Sequence, residues 1–108
     1  MSKEEIIIEL VNNQDLIGIK NFVKEHKNFS FDFTSNDGRN LLHYAASKLT
    51  SNTLSVIQIL LENGLDPLAV NEKFISALDV AKLSNNIPAM TIMKHYVNKK
   101  NQESQNYF

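Results

Sequence analysis

The chain contains no cysteine, which excludes disulfide staples and thiolate metal sites and points to a reducing, cytoplasmic setting. Glycine is scarce, with three in 108 residues, so no glycine-rich loop exists to cradle a phosphate. Charge of one sign is also missing. The formal net charge is -1 and the pI is near 6.3, which leaves no electrostatic footprint for nucleic acid or an anionic membrane. Long apolar runs are absent too, since stretches such as Ile6 to Ile8 and Ile57 to Leu61 fall far short of the roughly 20 residues a membrane span needs. Met1 to Leu10 opens with Lys3, Glu4 and Glu5, where a secretory leader would set a basic stretch before an apolar one.

What is present suits one small domain with a single core: 43% of the residues are hydrophobic, an ordinary value for a globular fold. Ser2-Lys3-Glu4-Glu5 has the form of a capping box, in which serine and glutamate satisfy the free amides of a helix start. The helix it opens runs to about Asn12, with an apolar stripe of Ile6, Ile7, Leu10 and Val11. Asp15 is placed to cap a second helix carrying Leu16, Ile19, Phe22 and Val23. From Lys24 to Ser35 the chain is polar except for Phe29, Phe31 and Phe33. Their period of two predicts an extended piece with Phe31 and Phe33 in the core.

Asp37-Gly38 is a turn signal, and Asn40 can cap a short helix from Leu41 through the small residues Ala45 and Ala46. Ser51, Asn52 or Thr53 can cap the next, whose Val56, Ile57, Leu60 and Leu61 recur at helical spacing before Gly64 stops it. A third pair follows. Ser76 with Asp79 caps its first helix, Asn85-Asn86 breaks it, and Ala89, Ile92, Met93 and Tyr96 stripe its second, with Pro88 in the first turn. Beyond Val97 the sequence is polar and aperiodic, so a frayed helix end and a mobile tail over 98–108 are expected.

The middle stretch, Asn36 to Asp66, resembles an ankyrin repeat. The parts that carry the resemblance are Asp37-Gly38, Asn40-Leu41-Leu42-His43, Ala45-Ala46, Ile59-Leu60-Leu61 and Gly64-Leu65-Asp66. Ser76-Ala77-Leu78-Asp79-Val80-Ala81-Lys82 is similar to the opening of carboxy-terminal repeats of that family, and Asn13-Gln14-Asp15-Leu16 to its amino-terminal repeats. Two departures stand out. Asn40-Leu41 replaces the usual Thr-Pro, and Ser47 to Asn52 is longer than the usual turn, which makes it either slack or a contact. The resemblance implies an all-α solenoid of about three stacked helix-turn-helix units with hairpin-like loops, spanning about 3–34, 35–70 and 71–97.

It also implies a function: binding another protein, as an adaptor or effector, through a concave face and loop tips. An inhibitor or immunity-type protein that blocks an enzyme encoded nearby uses the same face, and sequence does not separate the two. Carried over by position, the face takes Asn12 and Asn13 from the first unit and Asn36, Asp37, Arg39, Ser47 and Lys48 from the second. Glu72, Lys73, Ile75, Leu83 and Ser84 come from the third. Arg39, Ile75 and Leu83 are expected to matter most, since arginine and large apolar side chains dominate interface energies; Phe74 either joins them or is core.

No constellation argues for an enzyme. His26, His43 and His95 stand at no metal-ligand spacing, and the resemblance makes His43 a structural tie to the neighbouring unit. Asp32, Asp37, Asp66 and Asp79 are accounted for largely by turns and caps. Lys94, His95, Lys99 and Lys100 read as a solvated helix end. The expectation is a monomeric, non-catalytic chain without cofactor, metal, nucleic acid or membrane partner.

Overall fold

Six helices follow the capping signals closely. The structure, a computed structural model, describes residues 1–105, and among these the helices are α1 Lys3–Asn12, α2 Leu16–Glu25, α3 Leu41–Ala46, α4 Thr53–Glu62, α5 Ala77–Leu83 and α6 Ile87–Gln105. Ser2 and Glu5 bond reciprocally at the start of α1, as do Asn40 and His43 at α3 and Ser76 and Asp79 at α5. The Asp15 carboxylate accepts the Gly18 N–H at the start of α2. At α4 the cap residue is Asn52, but its side chain makes no capping bond; it is turned toward the first helical pair instead.

The pairs stack in two layers. α1 packs on α3 and α3 on α5, while α2 packs on α4 and α4 on α6, so each pair packs chiefly on its neighbours in the order of the chain. Ile7, Val11 and Ile19 supply the first pair's share of the core, and Leu41, Leu42, Val56, Ile57, Leu60 and Leu61 the middle pair's. Ala77, Leu78, Ala81, Ala89 and Met93 supply the third. Small residues at Ala45, Ala46, Ala77 and Ala81, all fully buried, let the short helices α3 and α5 approach closely. All strongly buried side-chain polar atoms among the described residues have a hydrogen-bond partner.

Three details depart from expectation. Ile6 lies on the exposed side of α1 and Leu10 is only partly buried, because the face that meets α3 is carried by Ile7 and Val11, four residues apart. Phe33 is also only partly buried; Phe31 enters the core, and Phe22, Phe29, Phe31 and Phe33 pack edge to face, with ring centres 5.2 to 6.0 Å apart. The third concerns α6, which continues past Val97 to Gln105. Lys, Gln and Glu lack a periodic stripe there but are good helix formers, so the helix propagates on propensity. Of the expected tail, 106–108 lie outside the described residues. Among those described, no helix is long and apolar enough to cross a membrane.

Candidate functional site

The twelve residues singled out from sequence fall into two rows at opposite ends of the α1, α3, α5 layer. One row consists of the loops that lead into α3 and α5. The other consists of the turns that leave α1, α3 and α5. Between them stands the length of α3, six residues or about 9 Å at 1.5 Å per residue.

The first row is built from two loops with the same bonding. Ser35 N–H donates to Arg39 C=O and Gly38 N–H to Ser35 C=O; Asn71 N–H donates to Ile75 C=O and Phe74 N–H to Asn71 C=O. In the first loop the Asp37 carboxylate accepts the Ser35 hydroxyl at 2.5 Å and meets Arg39 Nε at 2.8 Å. The hydroxyl first, and then the guanidinium, hold the Asp37 carboxyl down at about 2. Arg39 also lies over the Tyr44 ring, 4.6 Å from its centre, a cation–π contact that fixes the guanidinium while leaving it half-exposed. Asn36 at this tip is exposed.

The second loop rests directly on the first. Glu72 N–H donates to Asp37 C=O at 3.0 Å. Gly38 has φ +83°, and a Cβ there would come within 3.0 Å of Glu72 N and 3.1 Å of Asn71 Cα, so the contact needs glycine for its backbone angle and its lack of bulk. Phe74 occupies the matching position of the second loop. It too is left-handed, with φ +63°, yet its ring is 83% exposed. Asn71 Oδ1 supports this backbone by accepting the N–H groups of Lys73 and Ile75 at 2.9 and 3.1 Å. Glu72 and Lys73 are exposed, whereas Ile75 is half-buried.

His43 joins the two loops from beneath. Its Nδ1 accepts Asn40 N–H at 3.1 Å, and its Nε2 lies 2.8 Å from Ile75 C=O. A carbonyl only accepts, so the proton is on Nε2 and the ring is fully used. Asn40, in place of the expected hydroxyl, closes the network by accepting His43 N–H at 3.0 Å.

The second row shows that the long middle turn is a contact. The α3–α4 turn has six residues, Ser47 to Asn52, where the other two turns have three, Asn13 to Asp15 and Ser84 to Asn86. Gln14, buried and left-handed at φ +52°, takes the hydroxyls of Thr50 and Thr53 on its Oε1 at 3.1 and 3.2 Å and the Asn52 amide on its C=O at 3.0 Å. From the other side the fully buried Asn86 donates to Ala46 C=O at 2.9 Å and Lys48 C=O at 2.8 Å. Of the residues expected to bind, Asn13, Ser47 and Leu83 are exposed along this row, and Asn12, Lys48 and Ser84 are half-buried.

Sequence reading missed Gln14, Thr50 and Asn86, whose bonds cross between units and have no local signature, and Tyr44, which meets Arg39 within its own unit. It left Phe74 open. The described residues hold no group of three or more His, Cys, Asp or Glu placed to bind a metal ion. His26 packs its ring 4.4 Å from Phe22. A surface cleft of about 520 Å³ between α4 and α6 takes Leu61, His95, Tyr96, Lys99 and Lys100 into its walls. Compared with models of known protein families and with curated proteins, the chain matches none.

Proposed function

We propose that the chain is an ankyrin-repeat module that binds another protein through its loop row and performs no catalysis. The spacing of its parts supports the family reading. Ser35 and Asn71 start equivalent loops, a step of 36 from position 35 to 71, and Leu41 and Ala77 start equivalent helices, a step of 36 from 41 to 77. Without the three residues by which the middle turn exceeds the others, the step is that of an ankyrin repeat, about 33 residues. The tie from His43 to the next loop fits the Leu-His position of that family, and Asn40 fills the place of the missing threonine.

Phe74 carries the binding reading. A ring that is 83% exposed on a left-handed backbone is costly in folding terms, and Gly38 makes the same turn one unit earlier without that cost. Strained residues of this kind belong to contact sites, and aromatic and arginine anchors dominate interface energies. Phe74 is flanked by Lys73 and Ile75, and the preceding loop offers Arg39, held in place by Asp37 and Tyr44.

The experiment is affinity capture from the source cell with the parent chain and with a Phe74→Ser/Arg39→Ser variant, followed by mass spectrometry and a thermal melt of each. Loss of a retained protein with little change in melting supports the reading. Equal retention refutes it.

A further inference from the structure

The turn row carries a second surface, opposite the loop row and independent of the reading above. Ile17 is the second residue of α2, Leu49 sits in the middle turn, Leu54 is the second residue of α4, Leu83 ends α5 and Ile87 begins α6. Their exposures are 74%, 63%, 48%, 79% and 55%, so half of the large apolar side chains exposed among the described residues lie within three residues of the turns. The turns are held in line by Gln14 and Asn86. Five such side chains along one edge approach the patch size of roughly 300 Å² or more at which exposed apolar surface marks an interaction site.

Charge at this edge is mainly basic. Lys48 precedes Leu49, Lys82 precedes Leu83, and Lys20 lies one helical turn beyond Ile17 on the same face of α2. None of the three is in an ion pair among the described residues. The nearby carboxylates are Asp15, an exposed acid in the first turn that caps α2, Asp79, which bonds Ser76 N–H one turn before Lys82 and is acted on by its charge, and Glu9, a turn back along α1; of these only Asp15 lies in the turns themselves. Helices pack 8 to 10 Å apart, so three turns in register span roughly 20 Å, the length of a helix of roughly 13 residues. A second copy docked on the same edge would set lysines against lysines, which disfavours a symmetric dimer. The described residues form no sheet to which an extended peptide could add a strand.

We infer that the aliphatic ridge of Ile17, Leu49, Leu54, Leu83 and Ile87, edged by Lys20, Lys48 and Lys82, docks an acidic amphipathic helix of a partner protein, with leucine-type residues on the ridge and carboxylates toward the lysines. The probe is a labelled 14-residue peptide with leucines at helical spacing and glutamates flanking them, titrated with the full chain by fluorescence anisotropy beside a twin carrying lysines for the glutamates. The acidic peptide binds saturably and the basic twin at least about tenfold more weakly. Leu49→Ser with Leu83→Ser weakens binding roughly tenfold or more while the melting temperature stays nearly constant, and Lys48→Glu with Lys82→Glu narrows the difference between the two peptides. Phe74→Ser leaves peptide binding unchanged, which separates failure here from failure of the loop-row reading. Equal binding of both peptides, no saturable binding, or an unaffected double-serine variant overturns the inference. So does sedimentation with anionic vesicles or self-association, if either is lost in the double-serine variant while the acidic peptide fails to bind.

Discussion

Replacing Phe74 by glycine is expected to leave the protein as stable as before, or more so, while the same kind of exchange in reverse at Gly38 damages it. At φ +63° an L-residue carries about 1 to 2 kcal/mol of left-handed strain, which glycine escapes. Against this, glycine adds freedom to the unfolded chain, worth about 0.5 to 1 kcal/mol. The ring is 83% exposed, so only a small part of the roughly 2 kcal/mol of full burial is lost. The balance is between neutral and about 1 kcal/mol of added stability. Gly38→Ala takes on the strain that Phe74→Gly removes, and its Cβ meets backbone at 3.0 and 3.1 Å in the next loop, which yields less readily than a side chain. A loss of roughly 2 kcal/mol or more follows. Urea unfolding followed by circular dichroism resolves both, since a slope near 1 kcal/mol per molar in so small a protein separates the two midpoints by roughly 2 M. Phe74→Gly destabilised by more than about 1 kcal/mol would show that the ring stabilises the fold, and an innocuous Gly38→Ala would show that the loops do not abut.

Leu60 is fully buried, and Leu60→Ala should cost about 2 to 5 kcal/mol in the same assay; a cost below about 1 kcal/mol contradicts its place in the core. Asn86→Ala removes both donors that reach Ala46 and Lys48 and should cost roughly 2 to 3 kcal/mol, from carbonyls left short of partners; a neutral result would mean that the stitch between the second and third pairs carries no energy. Stability should also fall in acid. The folded carboxyl of Asp37 lies at about 2, below its unfolded value near 4, so its contribution is complete above about pH 4 and is lost as pH falls through about 2. Glu5 and Asp79 are lowered in the same direction, chiefly by the backbone N–H groups of Ser2 and Ser76. Melting temperature therefore drops between about pH 4 and 2, less steeply in Asp37→Asn, and parallel curves for parent and variant would exclude Asp37 as a contributor.

Much of the helical skeleton was legible because its signals are local. Ser2 with Glu5, Asp15, and Ser76 with Asp79 announce helix starts within three residues, and each bond is present. The stripe of Val56, Ile57, Leu60 and Leu61 is likewise buried as its period demands. What escaped was non-local or degenerate. Gln14 bonds to residues 36 to 39 positions away, and nothing around it distinguishes it from a solvated turn residue. Phe74, next to Ile75, has the apolar character of core, but its exposure follows from a left-handed turn that sequence assigns to glycine or asparagine. Of the expected binding residues, the loop tips of the second and third units do lie together, whereas Leu83 belongs to the far edge with the turns.

The polar stitching between pairs bears on how the protein comes apart. In a stack whose units touch only neighbours, partly folded forms accumulate when each unit is stable alone and the joints are weak. Here the joints hold buried atoms whose partners lie across them: Gln14 Oε1 of the first unit with Thr50 and Thr53 of the second, His43 Nε2 of the second with Ile75 of the third, and the Ala46 carbonyl of the second with Asn86 of the third. Peeling the third unit away takes the partners of His43 Nε2 and the Ala46 carbonyl, and peeling the first takes Gln14 from its bonds to the middle turn, so end fraying is penalised and the chain is driven toward all-or-none unfolding. Amides in α1 and α5 would then exchange with solvent at the same free energy as those in α3, and the six-residue turn, which touches both neighbours, would act as the clasp that sets that cooperativity.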